Sequence, residues 1–136
     1  MTIFSAIGIA GTGATVHRKW LDAISDNIAN INTARPSSEA AYQEKRVIAE
    51  AVDYGSGTGG VRVAGTALAS SAEGRMVYEP DNALADADGY VRYPDVDLGS
   101  QMSQMIMAQR GYQANLAVVD RARETYMAAL RIGGGA

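Results

Sequence analysis

The sequence predicts a mainly α-helical fold with a small β insert, in which long N- and C-terminal helices pack as an antiparallel coiled-coil-like pair. Two observations predict the helices, since apolar residues near each terminus recur at alternating spacings of four and three. A third predicts the insert, because the middle of the chain holds short β-like runs separated by Gly, Asp and Asn. We therefore divide the 136 residues into an N-terminal helix (1–33), a β-rich insert (34–96) and a C-terminal helix (97–136).

The N-terminal helix is predicted from residue 3 to about residue 31. Asn32-Thr33 and then Arg35-Pro36 end it, because the residue before a proline is pushed out of the helical region. Its apolar stripe, which we call the N-terminal seam, keeps a heptad repeat typical of coiled coils. The seam consists of Ile3, Ile7, Ala10, Ala14, His17, Leu21, Ile24, Ile28 and Ile31.

Three glycines weaken the first half of this helix. Gly8, Gly11 and Gly13 each cost about 1 kcal/mol relative to Ala in a helix interior. Small residues also let a second helix approach closely, so the pattern predicts a helix that is stable only against a partner. His17 lies in the seam without an acidic or serine partner at catalytic spacing, and this favours an interface histidine bonded to a carbonyl or amide over a general base.

Asparagines crowd the end of the N-terminal helix. Asn27 borders the seam, and a polar residue at such a border fixes the register of helix packing at some cost in stability. Asn30 faces further out, toward a possible third helix. The alternative, that the amides merely end the helix, fits Asn32 well and Asn27 poorly. We therefore favour a register role for Asn27.

The C-terminal segment mirrors the N-terminal one. Asp95 or Asp97 can begin a helix of about 35 residues, and Gly133-Gly134-Gly135 can end it. Gln109 and Arg123 interrupt its apolar stripe, which is less pure than the first. This C-terminal seam consists of Leu98, Met102, Met105, Gln109, Tyr112, Leu116, Val119, Arg123, Tyr126 and Leu130.

The middle of the chain predicts a small sheet. Four segments have the β-branched and aromatic composition of short strands, and Gly, Asp or Asn turns separate them. They cover residues 46–52, 60–65, 75–80 and 89–94. About sixty residues with weak strands form at most a subdomain of modest stability.

Composition argues against several classes of function. A net charge of −3 and a pI near 5.0 give no electrostatic reason to expect a nucleic acid partner. Without cysteine and with one histidine, the chain lacks a thiolate site or a paired-imidazole metal site. The first sixteen residues carry no charged side chain, and basic residues follow this apolar run instead of preceding it. A secretory signal has the opposite order. These sixteen residues are also too short and too weakly apolar for a membrane span.

Two motifs match the residue pattern of a ligand site but lack the structural context that such a site needs. "GSGTGG" (55–60) matches a dinucleotide fingerprint, but it precedes a predicted strand instead of opening a helix. Asp81, Asp86 and Asp88 offer oxygens for calcium, yet they lack the ligand spacing and flanking helices of an EF-hand. We therefore predict no catalytic residue, no metal site and no cofactor.

The two ends of the chain resemble a known family. "DNIANINT" (26–33), after an apolar helix, resembles the signature of flagellar axial proteins, the family of rod, hook and hook-associated subunits. "GYVRYPDVDL" (89–98) and "QMIMAQRGYQANLAVVDRARETYMAALRIG" (104–133) resemble the C-terminal region of proximal rod subunits. "GGVRVAG" (59–65) and "YEPDNALADADGYV" (78–91) stand where such subunits carry a short β insert. The resemblance covers nearly the whole chain.

Two positions depart from the family pattern. Asn82-Ala83 replaces a usual His-Pro, and Ser100-Gln101 replaces an acidic pair that commonly precedes Met102. We expect local contacts to differ there.

The resemblance implies a structural subunit of the bacterial flagellar basal body. Such subunits are exported through the flagellar type III apparatus without a cleaved signal and assemble helically into a rod that crosses the periplasm. Their terminal helices form the inner tube, so residues 1–33 and 97–136 would make the assembly domain. Implied partners are further copies, other rod proteins and the adaptor at the export-gate base, with no small-molecule substrate and no direct membrane insertion.

Assembly contacts are expected along both seams and at the amide-rich motifs. The predicted interface residues are Ile3, Ile7, Leu21, Ile24, Asn27, Ile28, Asn30, Ile31, Met105, Tyr112, Gln113, Asn115, Leu116, Val119 and Tyr126.

Two other function classes remain open from the residues alone. The first helix could serve an adaptor or a peripheral membrane module as an interfacial amphipathic helix, although few basic residues flank its apolar face. A nucleotide-binding enzyme using residues 55–60 is the other. Lipid co-sedimentation and nucleotide-induced thermal shifts distinguish both from an assembly subunit.

Overall fold

A computed structural model describes residues 2–55 and 59–134 of the chain. It contains two long helices with a small β region between them, as the sequence predicts. In chain order the elements are α1 (Ile3–Asn30), β1 (Arg35–Pro36), β2 (Lys45–Asp53), β3 (Gly59–Leu68), β4 (Arg75–Tyr78), β5 (Tyr90–Tyr93) and α2 (Leu98–Gly133).

Side chains of neighbouring residues fix where the helices begin. At the start of α1, the backbone N–H of Thr2 donates to Ser5 Oγ and that of Ser5 donates to Thr2 Oγ1, a reciprocal capping arrangement. At the start of α2, the N–H of Ser100 donates to Oδ2 of Asp97 at 2.6 Å, so Asp97 rather than Asp95 is the cap. At the other end of α2, Gly134 N–H donates to the Leu130 carbonyl.

The strands form two antiparallel sheets. The order in the three-stranded sheet is β1-β5-β4, with Arg35 opposite Arg92 and Val77 opposite Val91. Strands β2 and β3 form a two-stranded sheet. The four predicted strands are present with shifted ends, but β1 was not expected, because its proline reads as a stop signal. Proline is tolerated there since β1 lies at a sheet edge.

Contacts within the chain divide it into two compact units. Among the described residues, unit 1 takes those within Met1–Leu21, Ile48–Gly65 and Ile106–Ala136, and unit 2 takes Asp22–Val47 and Thr66–Met105. Each unit therefore contains part of both helices. The division differs from the predicted regions 1–33, 34–96 and 97–136, which describe roles in assembly.

The two units bury different residues. Unit 2 buries large side chains, namely Ile24, Asn27, Val91, Pro94 and Gln101. Within the described part of unit 1, the buried residues are Ala10, Gly13, Ala14 and Ala108. A core of that kind removes little apolar area from water.

Candidate functional site

The side chain of Asn27 lies at the centre of a hydrogen-bond network in unit 2. Its Nδ2 donates to the carbonyl of Lys45 and to Oε1 of Gln101, both at 3.0 Å. Its Oδ1 accepts from the N–H of Lys45 at 2.8 Å and from the Tyr42 hydroxyl at 2.9 Å. At 1% exposure, Asn27 thus has both amide protons and its oxygen paired.

The network joins three segments of unit 2. Asn27 lies in the last turns of α1, Lys45 is the first residue of β2, and Gln101 lies in the first turn of α2. The amide pairs with both backbone groups of Lys45, as a neighbouring strand would. Burial without these bonds would cost about 1–3 kcal/mol for each unpaired group, so the network holds the segments in one arrangement.

Charged and phenolic groups surround the network. Lys45 Nζ lies 2.9 Å from Oδ2 of Asp26, and that hydrogen bond raises the pKa of the Lys45 ammonium. Burial raises the pKa of the Tyr42 hydroxyl, which the nearby Lys45 charge partly offsets. Tyr42 therefore stays protonated at neutral pH and donates its proton to Asn27.

Gln101 is a buried side chain that pairs with Asn27. It is 1% exposed, and its Oε1 accepts the bond from Asn27. Its Nε2 is a buried donor without a hydrogen-bond partner in the described structure. The network therefore pairs the oxygen of Gln101 and leaves its amide donor unsatisfied.

The other residues of the "DNIANINT" motif make different contacts. Asn30 Nδ2 donates to the Asp26 carbonyl at 2.8 Å, and its Oδ1 accepts from the Thr33 hydroxyl at 3.2 Å. These local bonds satisfy the last turn of α1. Ile28 and Ile31 are half-buried, whereas Asn32 is exposed. The motif thus places one amide in the interior of unit 2 and one at the helix end.

A second polar cluster lies between the two helices of unit 1. His17 Nδ1 is 2.8 Å from the Gly13 carbonyl, the kind of bond expected for an interface histidine. Asn115 Nδ2 donates to the Gly111 carbonyl at 2.8 Å and lies 3.5 Å from His17 Nδ1. Together with Ile9, the residues Gly13, His17 and Asn115 line one side of an open groove of about 500 Å³.

One strand is also held against α1 in unit 1. The Thr12 hydroxyl donates to the Ile9 carbonyl at 2.7 Å and accepts from the Val61 N–H at 3.1 Å. A Cβ at Gly60 would lie 2.7 Å from Thr12 Oγ1, so glycine permits the close approach of β3. Where the start of α1 meets the last turns of α2, the rings of Phe4 and Tyr126 pack edge to face, with their centroids 5.4 Å apart.

The remaining predicted interface residues differ in exposure. Ile24 is buried in unit 2. Half-buried side chains are Ile3, Ile7, Leu21, Met105, Tyr112 and Val119. Exposed side chains are Gln113, Leu116 and Tyr126. Exposed and half-buried apolar side chains along a helix are available to further chains.

Sequence reasoning missed several contributing residues. Tyr42 and Lys45 lie outside any periodic segment that predicts their contact with Asn27, and no signal in the sequence indicates it. Gly111 and Gly13 carry a signal, because each lies four residues before a polar residue in a helix. That spacing places the glycine carbonyl within reach of the polar side chain.

The acidic loop does not form a cation cage in the described residues. Asp86 Oδ1 accepts the backbone N–H groups of Asp88 and Tyr90 at 3.0 and 2.9 Å. These bonds, the one from Tyr90 first, lower the pKa of the Asp86 carboxyl. Asp88-Gly89 forms a turn with a φ of 82° at Gly89, a conformation that favours glycine.

The structure also bears on a metal site, on the glycine-rich stretch and on membrane-spanning helices. Within residues 2–55 and 59–134, no group of three or more His, Asp or Glu side chains is placed to hold a metal ion. Of the "GSGTGG" stretch, residues 56–58 lie outside the described residues, and Gly59-Gly60 begin a strand. Neither helix, over its described length, is long and apolar enough to span a bilayer.

The chain is similar to flagellar proteins over nearly its whole length. It is 36% identical to the flagellar basal-body rod protein FlgC of Salmonella typhimurium over 135 residues, which cover 98% of this chain and 99% of that protein. It is 34% identical to the FlgC of Borreliella burgdorferi, with 97% and 98% covered, and 28% identical to that of Bacillus subtilis, with 98% and 99% covered.

A family match covers the C-terminal part separately. Residues 87–132 match the family described as "Flagellar basal body rod FlgEFG protein C-terminal". That range takes in β5 and nearly all of α2, including Gln101 and Asn115.

Proposed function

The chain belongs to the FlgC family of flagellar basal-body rod proteins, and from that premise we propose that it assembles helically into the proximal part of the rod. As a member, it is a structural subunit of the flagellum and not an enzyme. The proximal rod would serve as a drive shaft across the periplasm and enclose the export channel. Further copies of the chain and other rod proteins would surround each subunit.

The composition of unit 1 carries the proposal. In its described residues, the buried positions are alanine and glycine, while Phe4, Tyr126 and Ile132 are exposed, Ile132 at 81%. Apolar side chains along a helix gain about 25 cal/mol per Å² when a neighbouring subunit covers them. The helices of unit 1 therefore have much to gain from assembly.

The helices would pair antiparallel, in a coiled-coil-like arrangement. Within unit 1, Phe4 lies beside Tyr126, Gly13 beside Asn115, and His17 beside Gly111. Positions that increase along α1 meet positions that decrease along α2, as antiparallel packing requires.

Residues 1–33 and 97–136 would form the inner-tube assembly domain, and residues 34–96 the outer insert. Of the predicted interface residues, the exposed and half-buried ones would contact other subunits directly. Asn27 and Ile24 are buried in unit 2, and we assign them an indirect role, holding the C-terminal turns of α1 in place. Export through the flagellar type III apparatus and contact with the adaptor at the export-gate base complete the proposal.

A charge in the N-terminal seam tests the proposal. Ile28 is half-buried, and Ile28→Asp would place an unpaired carboxylate in a packed apolar stripe. We expect Ile28→Asp to be exported but absent from purified basal bodies, with motility lost. The matched control is Ser25→Asp, which adds the same charge at an exposed position of the same helix and is expected to swim normally.

The result would be read from incorporation, export and swimming together. If Ile28→Asp enters the rod at normal levels, assembly through this seam is refuted. If Ser25→Asp fails equally, the effect comes from added charge and not from the seam, which also counts against the proposal.

A further inference from the structure

We propose that His17 and Asn115 set the register of α1 against α2, each filling the space over a glycine of the opposite helix. The inference rests on the proposed function, because register matters to the rod if the two helices pair in the assembled subunit. All four residues, His17, Asn115, Gly13 and Gly111, belong to unit 1.

The imidazole of His17 is held from its own helix. Its Nδ1 lies 2.8 Å from the Gly13 carbonyl, one turn earlier in α1. A carbonyl oxygen can only accept, so Nδ1 is the donor in this contact. In this orientation the ring lies over Gly111, where any Cβ would overlap His17 Nε2. The ring cannot turn away without losing its bond to Gly13.

Asn115 repeats this arrangement from the other helix. Its Nδ2 donates to the Gly111 carbonyl at 2.8 Å, one turn earlier in α2. A Cβ at Gly13 would lie 2.5 Å from Oδ1 of Asn115, so the Asn115 side chain would have to move from its bonded position to admit one. Each helix thus contributes one glycine and one polar side chain, in the segments "GATVH" (13–17) and "GYQAN" (111–115).

The cluster is a fit of shapes more than a bond between the helices. His17 Nδ1 and Asn115 Nδ2 are 3.5 Å apart, and both carry protons, so the contact is packing and not a hydrogen bond. The near-symmetric exchange of a polar side chain and a glycine is compatible with antiparallel helices. A shift of one helix along the other would move each polar side chain away from its glycine.

This cluster distinguishes registers that the seams leave equivalent. A heptad repeat of apolar residues looks the same after a slip of one repeat, so the seams alone allow several pairings. The other glycines in the described part of α2, Gly99 and Gly133, lie more than three turns from Gly111. A smaller slip would therefore press His17 against a residue with a Cβ.

A cysteine cross-linking series in the full-length chain tests the inference. The natural sequence has no cysteine, so introduced pairs report on their own positions. Phe4→Cys with Tyr126→Cys, which we call the native-register pair, reports the observed register, because the two rings are in contact. Phe4→Cys with Val119→Cys, the slipped-register pair, reports a slip of one heptad repeat. Both pairs are treated in assembled rods with a short bis-maleimide cross-linker, because residues that touch through their rings have Cβ atoms beyond the reach of a disulfide.

Gly111→Ala is the decisive change. We expect cross-linking of the native-register pair to fall roughly tenfold, as overpacking of a fitted contact implies, while cross-linking of the slipped-register pair increases. His17→Ala in the same chain should restore the original pattern, since the smaller side chain leaves room for the new methyl group. The matched control is Gly8→Ala, where a Cβ has open space.

The outcomes separate this inference from the proposed function. Unchanged cross-linking in Gly111→Ala, or a loss that His17→Ala does not rescue, would overturn the register role. If that happens while Ile28→Asp still blocks incorporation, the proposed function stands and the register inference fails. Normal incorporation of Ile28→Asp would instead remove the premise of both.

Discussion

Unit 1 and unit 2 use the same two helices in opposite ways. Unit 2 holds its part of α1 through hydrogen bonds to Lys45 of β2 and Gln101 of α2, and it buries Ile24, Val91 and the Asn27 network. Unit 1 brings its helix segments together through Gly13, Gly111 and alanines, and leaves Phe4 65% exposed. One long helix therefore contributes buried core residues to unit 2 and exposed apolar residues to unit 1.

The two units differ in how much of a hydrophobic core a single chain can form. Buried area and paired polar groups stabilise unit 2 without a neighbour. In the α1 part of unit 1, three glycines lower the intrinsic helix stability, and the buried alanines add little in return. We therefore expect unit 1 to depend on the contacts that a rod would supply.

Amide hydrogen exchange on the purified chain should reveal the largest contrast. We expect the helix segment at residues 3–21 to exchange about a hundredfold faster than residues 22–30, although both belong to α1. Residues 98–105 should likewise exchange more slowly than residues 116–130. Equal protection along the whole of α1 in dilute monomer would contradict the comparison.

Asn27→Leu should cause the next largest effect. It removes the partner of the Lys45 backbone and of the Tyr42 hydroxyl, and we expect a loss of about 3–5 kcal/mol in the free energy of unfolding of unit 2. Asn30→Leu is the matched control, since its bonds are local to the helix end, and it should cost less than about 1 kcal/mol.

Urea denaturation followed by circular dichroism measures both variants. In cells, Asn27→Leu should be exported normally and lose motility. Similar stabilities for the two variants would show that the Asn27 network adds nothing beyond a helix end, and unchanged motility would contradict the role assigned to Asn27.

Acid should reveal the smallest difference, within unit 2. The folded pKa of Asp86 is lowered chiefly by the Tyr90 N–H, so its stabilising effect is fully present above the ordinary value of 3.8. This stabilisation is lost as the pH falls through the pKa that Asp86 has in the folded state, which is lower than 3.8. The melting temperature of the wild type should therefore fall more between pH 6 and about pH 3 than that of Asp86→Asn.

Asp88→Asn is the control for this measurement, because it removes a carboxylate from the same loop without changing the Asp86 bonds. A pH dependence that Asp86→Asn leaves unchanged would show that other carboxylates dominate acid unfolding.

Secondary structure could be predicted well from the sequence. The heptad spacing of Ile3, Ile7 and their successors predicted α1 to within a residue, and the sequence offered Asp95 or Asp97 as the start of α2, of which the structure shows Asp97. Short-range chemistry decides these features, since periodicity, capping and β-branched composition act within a few residues. The two-residue strand β1 was missed because it exists only through its pairing with β5.

The partners of polar side chains could not be predicted. The position of Asn27 beside the seam indicated a packing role, but Lys45 and Tyr42 reach it through a loop whose path no local pattern specifies. Hydrogen bonds between residues distant in sequence depend on where the chain folds back, and that is decided by the whole fold.

By itself, the sequence determined the two seams, the weak glycine-rich start of α1 and the membership of the flagellar rod family, because each follows from local residue order. The tertiary structure decided which segments complete a core and which glycine faces which polar side chain. In the sequence, Gly13 is a small residue that lets a second helix approach, and Gly111 is not singled out. Their use becomes visible only when Asn115 and His17 fill the space that a Cβ would occupy.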